Sequence, residues 1–335
     1  MRYDVYAMGN ALVDLEYKVT DEFLEQNGIE KGLMTLVEED RQQELIKLLD
    51  ESQQHLIKKQ CGGSAANTVM ALAQFGGTGF YSCRVANDEF GRFYLDDINS
   101  HGVDSLYSGK KAPEGHSGTC LVLVTPDAQR TMLTHLGISA GYSPIEVDRE
   151  ALIQSNWLYI EGYLVASETA QKAILEAKEI AEDKGVKTAF TMSDPNMVKF
   201  FKHHIDQVLA KKVDLLFCNE EEALAFSGKS TIKDAREFLK DYAHRFAITL
   251  GKNGAVIWDG TTYIDIESYD VKAIDTNGAG DMFAGSFLYG ITHEHGPADS
   301  GSFASLAASK VVGQFGPRLS LAESKELVQH ISGDM

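Results

Sequence analysis

Apolar positions in this chain follow two alternating rhythms. Short apolar or β-branched runs at 5–8, 80–85, 157–160, 187–191, 213–218, 246–250 and 255–258 read as strands. Between them lie longer stretches with apolar residues spaced three and four apart, which read as helices at 38–50, 64–75, 89–99, 167–184 and 235–242. A further helical stretch ends at Ala210. In 38–50, Leu45, Leu48 and Leu49 follow an acidic first turn, as a helix start should. Three more helices, at about 278–292, 297–313 and 320–332, close the chain. Strand–helix alternation of this kind predicts an α/β protein, with a mostly parallel sheet covered by helices on both faces.

Two stretches break the rhythm. Residues 11–37 and about 116–136 are strand-like and punctuated by glycine, with strands expected at 121–125 and 131–134. They predict a small second sheet contributed by two separate insertions into one domain spanning 1–335. No repeat, low-complexity tract or proline cluster interrupts the pattern.

The richest chemistry lies at Asp275-Thr276-Asn277-Gly278-Ala279-Gly280-Asp281, where a glycine turn runs straight into an apolar helix. First-turn amides have no partner inside a helix, and the helix dipole adds positive potential there. Gly278 and Gly280 let an anion approach the backbone closely. A carboxylate at the edge of such a site, Asp281, suits removal of a proton from a hydroxyl that attacks a bound phosphate. The bland alternative is a helix start whose aspartate complements the dipole. The motif is neither a Walker A loop nor G-x-G-x-x-G.

Three weaker signals accompany it. Gly62-Gly63-Ser64-Ala65-Ala66-Asn67 opens a helix, with Asn67 one turn from Ser64 and able to bind a ligand hydroxyl, or equally a local hydrogen bonder. Asp14 follows the first strand, where a carboxylate can grip a diol or stand solvated in a loop. Asn219 and Glu222 share a face at a helix start, and read equally as a cap with its partner glutamate. Competing motifs fail: His293-Glu294-His295 lacks zinc-protease spacing, and no Gly-x-Ser-x-Gly elbow occurs around Ser64.

The net charge of −18, with no basic run longer than two residues, argues against nucleic-acid binding. No run of about 18 apolar residues predicts a membrane span. The opening MRYDVYAMGNALVD has no basic-then-apolar pattern, so no signal peptide is expected. Cys61, Cys83, Cys120 and Cys218 are scattered without metal or disulfide spacing, which fits a reducing cytoplasm.

Taken together and in order, Gly62 to Asn67, Asn219 to Glu222 and Asp275 to Asp281 resemble the hallmarks of the ribokinase (PfkB) family of carbohydrate and nucleoside kinases. The resemblance covers essentially the whole chain. Within the family the chain is most similar to the adenosine kinases, through Met8 to Asp14, the stretch from Asp21 to Leu36, Val213 to Glu220, and Asn277. Ala65-Ala66 departs from that branch and reads more like sugar kinases, and the segment 161–167 is one residue shorter than its counterpart.

The resemblance implies a three-layer α/β/α ribokinase-like fold with a small β-sheet lid. It implies ATP-dependent phosphorylation of the 5′-hydroxyl of a ribonucleoside, adenosine first. Ribose, fructose, a ketodeoxy sugar acid, inosine or guanosine are the alternative acceptors, and a silent nucleoside-binding protein is a further one. By matching position, Asp281 is the general base, and Gly278, Ala279 and Gly280 are the anion hole. Asp14, Gly63 and Asn67 contact sugar hydroxyls, and Tyr163 is the candidate for the base. Asn219 and Glu222 order magnesium and phosphate, Glu222 through water. Thr249, Gly251 and Gly254 lie on the nucleotide side, Arg130 near the phosphates, and Asp275 at a potassium site. The expected cofactors are ATP and Mg2+, with K+ open; the chain is expected as a monomer or homodimer, the latter through exposed edges of the small sheet.

Overall fold

The structure is a computed structural model that describes residues 2–333 apart from 53, 55, 109 and 128. Along it run the strands β1 Tyr3–Met8, β2 Leu12–Lys18, β3 Met34–Leu36, β4 Leu56–Gly62, β5 Gly79–Ser82, β6 Val103–Ser105 and β7 Gly118–Val124. They continue with β8 Arg130–His135, β9 Ser155–Glu161, β10 Lys187–Thr191, β11 Val213–Asn219, β12 Ala243–Thr249, β13 Ala255–Trp258 and β14 Tyr263–Ile266.

Nine of these form the large sheet, in the order β14-β13-β12-β11-β10-β9-β1-β5-β6. Every pair from β6 to β12 is parallel, and the pairs β12–β13 and β13–β14 are antiparallel, so that β13 alone of these strands runs the other way. Alternate side chains of one strand enter opposite layers. Val5 and Ala7 of β1 join a core with the helices Ser64–Gln74 and Ala279–Thr292. Tyr6 and Met8 join a second core with Glu168–Lys184 and Pro195–Val208. Both faces are therefore dry, which is why the central strands read as unbroken apolar runs. The architecture is the three-layer α/β arrangement that strand–helix alternation predicts.

The remaining five strands make a separate sheet in the order β3-β8-β7-β2-β4. Strands β2, β3, β7 and β8 come from the two stretches that broke the sequence rhythm. Strand β4 lies outside them: Leu56-Ile57-Lys58-Lys59 pairs with β2 as an exposed edge, and its lysines hide the strand pattern while blunting that edge. Only Gly9, Asn10 and Ala11 separate β1 of one sheet from β2 of the other. Other departures are local. The helix expected at 235–242 runs Ile232–Leu239, because Ala243 already pairs with Val213 in β12. A helix Glu220–Ser227 follows β11 directly.

Candidate active site

All parallel strands of the large sheet point their carboxyl ends to one side, and there the chain leaves β1, β9, β10, β11 and β12 in loops, helical turns or helix starts. Ligands of open α/β sheets bind at this edge. A cavity of about 460 Å³ lies over it, floored by these loops and roofed by the small sheet. Asp14, Gly63, Asn67, Tyr163, Asn219, Glu222, Thr249, Gly278, Gly280 and Asp281, expected from the sequence as site residues, all line it.

Asp281 sits in the first turn of helix Ala279–Thr292. Two donors from helix Ser64–Gln74 hold its carboxylate: Ser64 Oγ to Oδ1 at 2.6 Å and Asn67 Nδ2 to Oδ2 at 3.1 Å. Enclosure raises its pKa from 3.8 to about 6, and those two hydrogen bonds restrain the rise. A base poised there is ionised at neutral pH yet still basic enough to receive a proton. The Oδ1 of Asn67 is buried with no partner among the described residues, so this side chain has an acceptor left over.

Gly278 caps the helix at φ +76°, and a Cβ there would run into Pro317. Gly280 is different: nothing lies within 4 Å of where its Cβ would stand. The open space over Gly280 is the cavity itself, which is what close approach of an anion to the helix start requires. Ala279 is not among the cavity residues, and its amide donates to the Thr276 carbonyl at 3.3 Å.

Asp14 lies on β2, tucked against Gly62, where no Cβ would fit. Burial pushes its carboxyl up to about 7, against the pull of Arg318 and Arg130. Above it the small sheet presents an apolar wall of Leu12, Met34, Leu36, Cys120, Met132 and Leu136. Tyr163 stands in the short helical turn Gly162–Ala166 after β9, half-buried at the cavity rim. Ala65 and Ala66 are fully buried, and the Ala65 methyl packs where a Cβ on Gly9 would stand.

Asn219 and Glu222 form a reciprocal cap. Asn219 donates its backbone N–H and Nδ2 to Glu222, both at 2.9 Å, and accepts the Glu222 amide at 2.8 Å. Glu222 is buried and its pKa is lifted to about 7 by burial first, with the Asp194 charge adding to it. Asp194 and Glu222 are thus two carboxylates in electrostatic reach of each other on one cavity wall. Among the described residues no group of three or more His, Cys, Asp or Glu gathers for a metal. The pair fits a magnesium ion that takes most of its ligands from phosphate and water. Thr249, at the end of β12, completes this wall.

Four further residues of the expected set lie elsewhere or are engaged otherwise. Gly251 and Gly254, at φ +57° and +83°, shape the β12–β13 turn outside the cavity residues. Arg130 and Asp275 border an adjoining space of about 400 Å³ that shares Met132 and Asn277 with the main cavity. They pair with each other at 2.8 Å. Asp275 also accepts the Gly316 amide at 2.9 Å and the Asn277 amide at 3.1 Å. Its oxygens are therefore taken by a guanidinium and two amides, which does not fit a monovalent cation on the same carboxylate.

Sequence reasoning missed three participants. Ser64 was visible only as a neighbour of Asn67 on one helix face. Glu161, 1% exposed at the end of β9, accepts N–H bonds from Ala65 at 2.8 Å and from the Asn10 backbone and side chain at 3.3 and 3.1 Å. Burial lifts it to about 7 against those donors. Asp194 follows Ser193, a non-glycine residue at φ +67°. Strain of that kind persists where the surroundings fix it, and it clusters at functional sites. The Ser193 hydroxyl accepts the Gly162 amide at 2.9 Å and so ties the end of β10 to that of β9.

A parallel sheet that sets a held carboxylate beside an open glycine helix start is the framework of a phosphotransferase acting on hydroxyl groups. Residues 35–324 match the model of the pfkB family carbohydrate kinases, and the chain belongs to that family. The structure of an adenosine kinase from Sinorhizobium meliloti is similar at 34% identity and TM-score 0.87, covering 97% of this chain and 99% of that one. The structure of a probable sugar kinase from Rhizobium etli is similar at 32% identity and TM-score 0.88, covering 100% of this chain and 99% of that one. A ribokinase from Staphylococcus aureus is 28% identical over 277 residues, covering 80% of this chain and 87% of that relative. Kinases of this family use ATP, usually with Mg2+. Among the described residues no helix is long and apolar enough to cross a membrane.

Proposed function

We propose that this chain transfers the γ-phosphoryl group of ATP to the 5′-hydroxyl of a ribonucleoside, with adenosine as the leading acceptor. The observation that carries this reading is the shape of one cavity: a held base at the anion site, a diol-gripping carboxylate at Asp14, and an apolar wall between them and solvent. A free sugar has no apolar surface to place on Leu12, Leu36, Met132 and Leu136, whereas a flat purine does.

In this mechanism Asp281 receives the hydroxyl proton as that oxygen attacks the γ-phosphorus in line. The bond to the β-phosphate oxygen breaks and its electron pair leaves with ADP. The helix start at Gly278 and Gly280 faces the charge on the transferring oxygens, while the Ala279 amide is engaged by the Thr276 carbonyl. Magnesium, when bound with ATP, neutralises phosphate charge; Asp194, Asn219 and Glu222 are the residues that would position it. Arg130, on the small sheet, has donors left to reach the phosphates, and the small sheet acts as a lid that excludes water. Asp14, Gly63 and Asn67 hold the ribose hydroxyls and Tyr163 borders the base.

A sugar kinase is the second reading. It is favoured by Glu161 and Asn10, which place further polar groups on the cavity floor beside Asp14. The deciding experiment is a coupled ADP-release assay with Mg-ATP and a panel of nucleosides and free sugars. Adenosine should exceed every free sugar in kcat/KM by at least about a hundredfold, the value of two lost hydrogen bonds or a lost apolar anchor. A free sugar turning over best would move the acceptor assignment and leave the chemistry in place.

Gly280 provides a sharper test of the anion site. Gly280→Ala places a methyl in open space on a helix, where alanine is favoured over glycine by about 1 kcal/mol. The variant should melt higher than the wild type and yet lose at least about tenfold in kcat, because the methyl stands where the phosphate must approach. Calorimetry and steady-state kinetics on the same preparation read both effects. A stabilised variant with full turnover would remove Gly280 from the anion site.

A further inference from the structure

The ion pair between Arg130 and Asp275 joins β8 of the small sheet to the stretch leading into helix Ala279–Thr292. Both side chains are nearly dry, 10% and 4% exposed, and Glu16 approaches the same guanidinium at 3.4 Å. Among the described residues Arg130 is the one ion-pair partner of Asp275, whose other hydrogen-bond partners are the Gly316 and Asn277 amides. We infer that Arg130 supplies from within the chain the positive charge that a monovalent cation would bring to Asp275, so that the start of the anion-site helix is organised without potassium.

A buried carboxylate needs a compensating charge, and two neutral amides do not provide one. A guanidinium in contact with Asp275 provides it and repels any further cation from the same oxygens. Removing that charge leaves Asp275 on the wall of the adjoining space of about 400 Å³, and leaves Glu16, which shared the guanidinium, without that partner. Such a site has carboxylate oxygens, room and access, which are the features a weakly hydrated cation needs. Arg130 therefore both fills the position and, by its removal, would expose a cation requirement hidden in the wild type.

The test compares wild type with Arg130→Met in potassium chloride and in choline chloride at equal ionic strength. Melting temperature is the primary readout, so the outcome does not depend on the acceptor or on the kinase reading; only the activity readout rests on that reading. Wild-type melting should differ by less than about 1 °C between the salts, and the variant should gain about 2 °C or more in potassium, as expected for a ligand well above its Kd. Where an acceptor is turned over, potassium should change wild-type kcat/KM by less than about twofold and raise that of the variant by at least about fivefold. A variant that folds only when potassium is supplied gives the same support. Should it fold in neither salt, Arg130→Gln replaces it, since a neutral amide keeps one donor toward Asp275. A potassium-specific rise in wild-type melting, or no potassium response in either folded variant, would overturn the inference.

Discussion

Asp281→Asn should fold, melt higher than the wild type and lose about 10² to 10⁴ in kcat, the usual worth of a positioned general base. The two effects share one origin. Burial raises the Asp281 pKa from 3.8 to about 6, a shift that costs at most about 3 kcal/mol of stability once the group is ionised. The sign follows from proton binding. The folded state holds this proton more tightly, so the stability it contributes is complete below about pH 3.8 and lost as pH rises through about 6. A neutral asparagine escapes that cost, and its advantage should be larger at pH 7.5 than at pH 4.5. Its amide also finds a partner: Asn67 Oδ1 is buried and unbonded, and a flip of either amide pairs them. In the wild type kcat should fall as pH drops through about 6, and the variant should lack that limb. Near-normal turnover in the variant would end the assignment of Asp281 as base.

Asp14→Asn should lower kcat/KM for the acceptor by about 10² to 10³ while leaving KM for ATP within about threefold. Each hydrogen bond to a charged group is worth about 1.5–3 kcal/mol, and an ionised carboxylate accepts from both hydroxyls of a diol. Because burial holds this carboxyl at about 7, acceptor KM in the wild type should rise as pH falls below that value. A deoxy acceptor separates direct contact from general disruption. It should cost the wild type most of the same loss and cost Asp14→Asn little more. If the loss in Asp14→Asn fell on ATP instead, Asp14 would belong to the nucleotide side.

What the sequence reveals follows from how local each signal is. The central strands are apolar because both faces of a parallel sheet are covered, and that is visible in one chain segment at a time. Strand β4 is not, because its pattern of Leu56, Ile57, Lys58 and Lys59 belongs to an edge with solvent beside it. The site shows the same division. Gly278, Gly280 and Asp281 announce themselves at one helix start, and so do Asn219 and Glu222. The contact of Ser64 with Asp281 spans 217 positions and depends on how two helices pack on one sheet face. Glu161 looks like any strand-end residue until Ala65 and Asn10 turn three N–H groups toward it. Asp194 reads as an ordinary cap before Pro195, since the left-handed turn at Ser193 leaves no mark in the sequence. Arg130 and Asp275 are each visible, but their partnership is a property of two sheets meeting.

The cavity draws its walls from two sources: carboxyl ends of the large sheet carry the base, the glycines and the Asn219–Glu222 pair, and the small sheet carries the apolar roof. These are separate in the chain and in mutational consequence. Substitutions at Leu36 or Leu136 can reshape what fits under the roof without touching the base, the glycines or the Asn219–Glu222 pair. Evolution thus has a free variable here, with drift in the roof filtered only by the acceptor at hand. Relatives named for a nucleoside and for a free sugar can accordingly stand at similar distances from this chain, and overall identity is a poor guide to acceptor. Laboratory selection for a new acceptor should find its gains in those roof positions before anywhere else.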